Sequence, residues 1–145
     1  MSPDVAPPRL TPLVLPGAPG DGRAPVRIFL GTEPAQHRAQ RVFCYALEQV
    51  RDRTRRYELY CMSALPGFDT RAWRTGFTNY RFAIPALAGG AGKALYNDVD
   101  QVYTQDPAEL FDADLGAHGY LALSVHDTAV MLLDCARMAT VMRRA

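Results

Sequence analysis

At 145 residues, with 48% hydrophobic and 21% charged side chains, the chain is long enough to bury one real core and short for an enzyme that handles two substrates. A net charge of +1 supplies no electrostatic attraction to nucleic acid or an anionic membrane, and no stretch approaches the ~20 apolar residues of a membrane span. Cys44, Cys61 and Cys135 are odd in number, widely spaced and set among apolar neighbours, and no basic segment followed by an apolar run opens the chain; together these predict reduced, buried thiols without a metal role and a cytoplasmic location.

Residues 1–25 contain Pro3, Pro7, Pro8, Pro12, Pro16, Pro19 and Pro25 with Gly17, Gly20 and Gly22, a composition that predicts an extended, largely disordered tail. The apolar piece Leu13 to Leu15 is too brief to alter that expectation. Residues 26–145 are expected to form a single α/β domain. Val26-Arg27-Ile28-Phe29-Leu30 reads as a strand closed by Gly31. Thr32 or Glu33 then caps a helix with Pro34 in its first turn, where a missing N–H costs nothing. Ala35, Ala39, Val42, Phe43, Ala46, Leu47 and Val50 recur at helical spacing as its packed side. Arg51, Arg53, Arg55 and Arg56 follow and read as a solvated helix terminus favoured by the dipole, in preference to a phosphate patch. Tyr57 to Met62 alternates and is β-prone, which completes a strand–helix–strand unit with parallel strands and a right-handed crossover.

Pro66, Gly67, Asp69 and Gly76 mark a loop whose Phe68 and Trp73 are expected to plug a core. Thr78 or Asn79 caps a short helix through Tyr80, Arg81, Phe82, Ile84 and Leu87, with Pro85 in its first turn or at a kink. Ala88 to Gly92 is a turn before the next strand. It precedes a strand instead of opening a helix, and so lacks the geometry by which glycine-rich loops hold phosphate. The stretch Lys93 to Gln101, KALYNDVDQ, comes next. Asp106 and Pro107 start a helix of one to two turns through Glu109, Leu110 and Phe111. Gly119 to Ser124 is another strand, His126-Asp127-Thr128 a polar corner, and Ala129 to Leu133 a further apolar run. Asp134 caps a last helix ending in Arg143 and Arg144.

In KALYNDVDQ an apolar strand runs into two aspartates. Extended backbone alternates its faces, so Asp98 and Asp100 are expected to point one way while Asn97 and Val99 point the other. Two converging carboxylates repel unless they are solvated or bridged, and a hard divalent cation is the usual bridge. The structural alternative is that both acids are turn formers at a strand end. A calcium loop of the EF-hand kind fails on spacing, because Tyr103 stands where that loop turns on glycine and Val102 where an oxygen ligand belongs. A phosphohydrolase of the haloacid dehalogenase type also carries Asp-x-Asp after an apolar strand, and Asp98-Val99-Asp100-Gln101-Val102 fits its motif loosely, at an unsuitable distance into the fold.

The run Tyr80-Arg81-Phe82-Ala83-Ile84-Pro85, then Ala94-Leu95-Tyr96-Asn97-Asp98-Val99-Asp100, then Asp106-Pro107-Ala108-Glu109-Leu110-Phe111 resembles the nucleotide-sugar-binding core of the family-eight glycosyltransferases, which include glycogenin and bacterial lipopolysaccharide galactosyltransferases. Thr128 to Leu133 looks like that family's Asn-Ser-Gly-Val-Met-Leu segment, and Ile28 to Glu33 sits where its first strand opens onto the nucleotide. The resemblance implies a GT-A fold, a Rossmann-like, mixed, mostly parallel sheet with helices on both faces. It implies metal-dependent, retaining sugar transfer from a nucleotide-diphosphate donor, a UDP-sugar first, to an unknown acceptor. Asp98 and Asp100 would hold Mn²⁺ or Mg²⁺ against the pyrophosphate. Thr32, Glu33, Arg81, Asn97, Val99, Asp127 and Thr128 would complete the donor site. For Arg81 the structural alternative is a surface ion pair, and for Asp127 a helix or turn cap. The sequence departs from the family in two places. Gly31-Thr32-Glu33-Pro34 leaves the base undetermined, and none of His37, His118 and His126 stands where the family's third metal ligand is expected. These departures predict either part of a longer transferase or a relative that binds nucleotide without turnover; an unfinished sheet edge would invite self-association.

Overall fold

The computed structural model describes residues 6–142. Residues 1–5 of the expected tail, and Arg143 and Arg144 of the expected last helix, lie outside the described residues. Six strands form one mixed sheet in the order β1-β3-β2-β4-β6-β5, built from β1 (Leu13–Leu15), β2 (Val26–Gly31), β3 (Tyr57–Met62), β4 (Lys93–Asp98), β5 (Tyr120–Ser124) and β6 (Asp127–Asp134). The central strands β3, β2 and β4 run parallel, whereas β1, β6 and β5 join antiparallel. The helices are α1 (His37–Val50), α2 (Ile84–Leu87), α3 (Ala108–Phe111) and α4 (Cys135–Met142), with 3-10 turns at Pro34–Gln36 and Tyr80–Ala83.

Strand alternation sorts the core into two layers. Val26, Ile28 and Leu30 of β2, with Leu59 and Leu95, pack on Phe43 and Leu47 of α1 and on Phe111 of α3. Phe29, Ala94, Tyr96, Met131 and Leu133 face the other way and pack on Tyr80, Ile84 and Cys135. Helices thus cover both faces, as the α/β reading expects. The chain leaves β2 through α1 to reach β3 on one side and later enters β4 on the other side, so the strand order reverses at β2. In open α/β sheets the crevice at such a reversal, beyond the carboxyl ends of the strands, is where ligands bind.

Leu13 to Leu15, expected to stay in a disordered tail, instead forms the antiparallel edge strand β1, with Leu15 packed against the core. Long-range bonds hold it: Ala18 donates to the Thr54 carbonyl at 2.9 Å, and Arg51 donates to the Pro16 carbonyl at 3.0 Å. A Cβ on Gly17 would lie 2.5 Å from the Arg55 carbonyl carbon, so only glycine lets the two backbones approach there. The arginine cluster is likewise not uniformly solvated. Arg55 is 3% exposed, makes two hydrogen bonds to Asp112 at 2.5 and 2.9 Å, and donates twice to the Ala24 carbonyl.

Several local expectations meet tertiary competition. The Glu33 carboxylate does not cap the first turn and accepts from the Gly76 N–H at 3.1 Å instead. Val42, placed on the packed side of α1, is 58% exposed, and the buried stripe is Phe43 and Leu47. Asp134 does cap α4, accepting from the Arg137 N–H at 3.0 Å. Arg27 projects from β2 and donates to the carbonyls of Ala88, Ala91 and Lys93, which fixes the glycine turn ahead of β4. A register shift between Ala122 and Ser124 turns Leu123 outward on the edge strand β5. No helix among the described residues is long and apolar enough to cross a membrane.

Candidate functional site

Gly31, the last residue of β2, pairs with Asp98, the last residue of β4. The chain then turns: Val99 donates to the Gly31 carbonyl at 3.1 Å and Gln101 to the Asp98 carbonyl at 3.0 Å. Simple alternation through Asp100, expected from the sequence, therefore stops at Asp98. Val99 is buried in the core and Asp100 stands exposed on the turn. The two carboxylates still meet, because a turn, not a continued strand, brings Asp100 back to the same crevice. Both line a cleft of about 390 Å³ whose other walls are Gln36, Arg74, Thr75, Phe77, Thr78, Arg81, Val99, His126, Asp127, Thr128 and Ala129.

Arg81 ties three walls of this cleft together. Its Nε donates to the Thr78 carbonyl at 2.9 Å, and its Nη1 donates to the Thr128 carbonyl at 2.7 Å and to the Thr128 hydroxyl. Its Nη2 lies 3.5 Å from Asp98 Oδ1, the longest of these contacts. The guanidinium also stacks over the Tyr96 ring, 4.6 Å from its centroid. The Tyr96 hydroxyl donates to Asp98 Oδ1. Burial raises the Asp98 carboxyl above the ordinary carboxylate range; the Tyr96 bond and Arg81 pull it down, while Asp100 and Asp127 push it further up. Burial, and then the bond to Asp98, raises the Tyr96 phenol. The cleft thus gathers three aspartates, Asp98, Asp100 and Asp127, against two arginines, Arg74 and Arg81, of which Arg81 reaches Asp98.

The remaining sequence-derived candidates divide. Asp127 and Thr128 line the cleft at the start of β6, where Asp127 Oδ1 accepts from the Ala129 N–H at 3.4 Å and its own N–H donates to Ser124 at 3.1 Å. Val99 contributes to the floor. Asn97 does not join them: it is 1% exposed, and its carboxamide faces the opposite layer, accepting from the Tyr103 hydroxyl and donating to the Gln101 carbonyl at 3.3 Å. Thr32, also 1% exposed, sits one residue beyond β2 outside the cleft lining, and its hydroxyl has no hydrogen-bond partner among the described residues. Glu33 is taken up by Gly76. Tyr96 carries one signal in the sequence, its place two residues before Asp98 on the same strand face. Gln36, Arg74 and Thr75 reach the cleft with no local pattern to mark them. Among the described residues no group of three or more His, Cys, Asp or Glu side chains is arranged to hold a metal ion.

The six-stranded mixed sheet with helices on both faces is an α/β fold similar to that of solved glycosyltransferases. The glycosyltransferase GlyE of Streptococcus pneumoniae TIGR4 superposes with a TM-score of 0.65 at 16% identity, over 84% of this chain and 37% of that one. WbbM, a bifunctional glycosyltransferase, gives 0.66 at 14% identity over 87% of this chain and 34% of its own. An active-site mutant of LgtC gives 0.57 at 14% identity over 83% and 60% respectively. The chain therefore spans 34% to 60% of the length of these structures. No family model matches the sequence, and no curated protein matches it.

Proposed function

We propose that the chain forms the donor-binding part of a family-eight glycosyltransferase, which moves a hexosyl group from a nucleotide-diphosphate sugar, a UDP-sugar first, to an acceptor in the cytoplasm. The observation that carries this reading is the convergence of Asp98, Asp100, Arg81 and Asp127 on one cleft at the reversal of strand order.

The residues present fit a hard divalent ion, Mn²⁺ or Mg²⁺. Asp98 and Asp100 are oxygen donors facing one cleft, and burial together with the neighbouring acids makes the charge on Asp98 costly until a cation offsets it. With only two carboxylates supplied, the diphosphate oxygens of the donor would complete the coordination. When bound, the ion supplies Lewis-acid neutralisation of the charge that builds on the departing diphosphate. Arg81 would share that charge, a role supported by its Nη2 contact to Asp98 being the loosest it makes. Asp127 and Thr128, which line the same cleft, would accept from donor-sugar hydroxyls and fix the sugar. In the transfer the bond between anomeric carbon and diphosphate oxygen breaks, with the electron pair going to the diphosphate. The acceptor oxygen bonds to the anomeric carbon on the same face, consistent with retention, and its proton passes to the departing diphosphate oxygen.

A second reading, nucleotide binding without sugar transfer, is favoured by the lack of a third metal-ligating side chain beside the two aspartates among the described residues. Calorimetric titration with UDP and then GDP, with and without Mn²⁺, tests the site. Binding of UDP that requires Mn²⁺ and is lost in Asp98→Asn/Asp100→Asn is expected. No binding of either nucleotide by the folded chain overturns both readings, and release of UDP from a UDP-sugar separates the first from the second.

A further inference from the structure

Asp98 is presented to the cleft by a residue that does not itself line it. Tyr96 precedes Asp98 by two residues on β4, so both side chains leave the sheet on the same face. The Tyr96 hydroxyl donates to Asp98 Oδ1, and Arg81 approaches that same oxygen. No hydrogen bond to Oδ2 is found among the described residues. The carboxylate is thus anchored through one oxygen and free at the other.

A tyrosine reaches along its own strand in this way only if the neighbouring strand leaves room. The position opposite Asp98 on β2 is Gly31, and a Cβ built there would lie 2.5 Å from the Tyr96 hydroxyl and 3.0 Å from its ring. Phe77 closes the space from the side, 2.9 Å from the same point, and the Arg81 guanidinium covers the ring. Tyr96 is fully buried. Among the described residues its hydroxyl bonds only to Asp98.

We infer that Tyr96 is a positioning residue for Asp98: packed in the space left by the missing side chain of Gly31, it holds Oδ1 so that Oδ2 is directed to a divalent cation bridged by a nucleoside diphosphate. The inference rests on the donor-site reading above. Partners that orient a metal-ligating carboxylate set affinity through geometry, and their removal typically weakens metal binding by roughly 10- to 100-fold.

The test is Tyr96→Phe, which deletes the hydroxyl and keeps the ring under Arg81. Mn²⁺ uptake is followed by electron paramagnetic resonance of the free ion, and UDP binding by calorimetry with and without Mn²⁺. Tyr103→Phe is the control, because it removes another hydrogen-bonded tyrosine hydroxyl, on the opposite layer and bonded to Asn97. Tyr96→Phe is expected to weaken Mn²⁺-supported UDP binding by roughly 10- to 100-fold and to leave Mn²⁺-independent binding unchanged. Tyr103→Phe is expected to stay within about twofold of wild type whatever its effect on stability. Gly31→Ala, which displaces the phenol, shifts affinity in the same direction as Tyr96→Phe. Wild-type affinity in Tyr96→Phe, or an equal loss in Tyr103→Phe, overturns the inference alone. A wild-type chain that takes up no Mn²⁺ with UDP overturns the donor-site reading and the inference with it.

Discussion

Arg81 donates through Nη1 to the Thr128 carbonyl oxygen at 2.7 Å, and this bond fastens the turn ahead of α2 to the mouth of the β5–β6 hairpin 47 residues further along the chain. The same guanidinium reaches Thr78 and Asp98, so one side chain sets the width of the cleft.

Replacing Arg81 by alanine leaves the Thr128 carbonyl and the Asp98 carboxylate without that donor. A loss of about 2 kcal/mol in unfolding free energy is expected, in the range for a partly buried charged hydrogen bond. Amide exchange should rise at Ala129 and Val130, next to the released lip. Arg81→Lys keeps the charge but not the planar fork, and is expected to recover less than half of the loss. Full exchange protection in Arg81→Ala would show that the hairpin is held by its strand pairing alone.

The two aspartates of the pair differ in surroundings, and their variants are expected to differ too. Asp100 is exposed on a turn, so Asp100→Asn should change stability by less than about 0.5 kcal/mol. Asp98 is half-buried with its charge disfavoured by desolvation, so Asp98→Asn should be neutral or slightly stabilising without metal. Both should abolish Mn²⁺-dependent UDP binding. Denaturant midpoints measured with and without Mn²⁺ and UDP check the pair, and marked destabilisation of metal-free Asp98→Asn would count against the electrostatic account.

The Arg55–Asp112 pair supplies a pH dependence. Arg55 holds the Asp112 carboxyl below the usual carboxylate range. A carboxylate depressed in the folded state contributes stability that is present above its unfolded value, near 3.9, and lost as pH falls through its folded value. The Asp112 side chain is 55% exposed, so solvent screens the pair and about 1 kcal/mol is expected. The stability difference between wild type and Asp112→Asn should be constant above about pH 5 and shrink below about pH 4. A difference that does not shrink as pH falls below the unfolded value would assign the effect to packing of Arg55 against Phe111, 5.5 Å from its ring centroid.

Gly17 tests whether the proline-rich segment belongs to the folded domain. A Cβ there would press on the Arg55 backbone at 2.5 Å and on the Arg56 nitrogen at 2.6 Å. Gly17→Ala is expected to detach β1 at a cost of about 1–3 kcal/mol. Proteolysis within residues 13–20 should accelerate while the central strands stay protected. Unchanged proteolysis would mean that the backbone shifts to accept the methyl group.

Much of the framework was legible in the residues because it is written in local periodicity. The alternation in Val26 to Leu30 and in Tyr57 to Met62, the helical stripe through Phe43 and Leu47, and the Asp134 cap each depend on neighbours a few residues away. The acidic pair stood out as a pair, and the family resemblance had already grouped with it Arg81, Asp127 and Thr128, which line the same cleft.

By itself, then, the sequence determined an α/β chain with carboxylates at the end of a central strand, since strand period and acid placement are local properties. Tertiary structure decided how the acids meet, because a turn bonded to Gly31 replaces the expected extended backbone after Asp98. It withdrew Asn97 to the opposite layer, where Tyr103 lies within reach of its carboxamide. It drew Leu13 to Leu15 into the sheet, because β3 offered an unpaired edge and Gly17 allowed close approach. It buried Arg55, whose partner lies 57 residues away. Such partners are chosen by the shape of the assembled core, and no spacing along the chain encodes them.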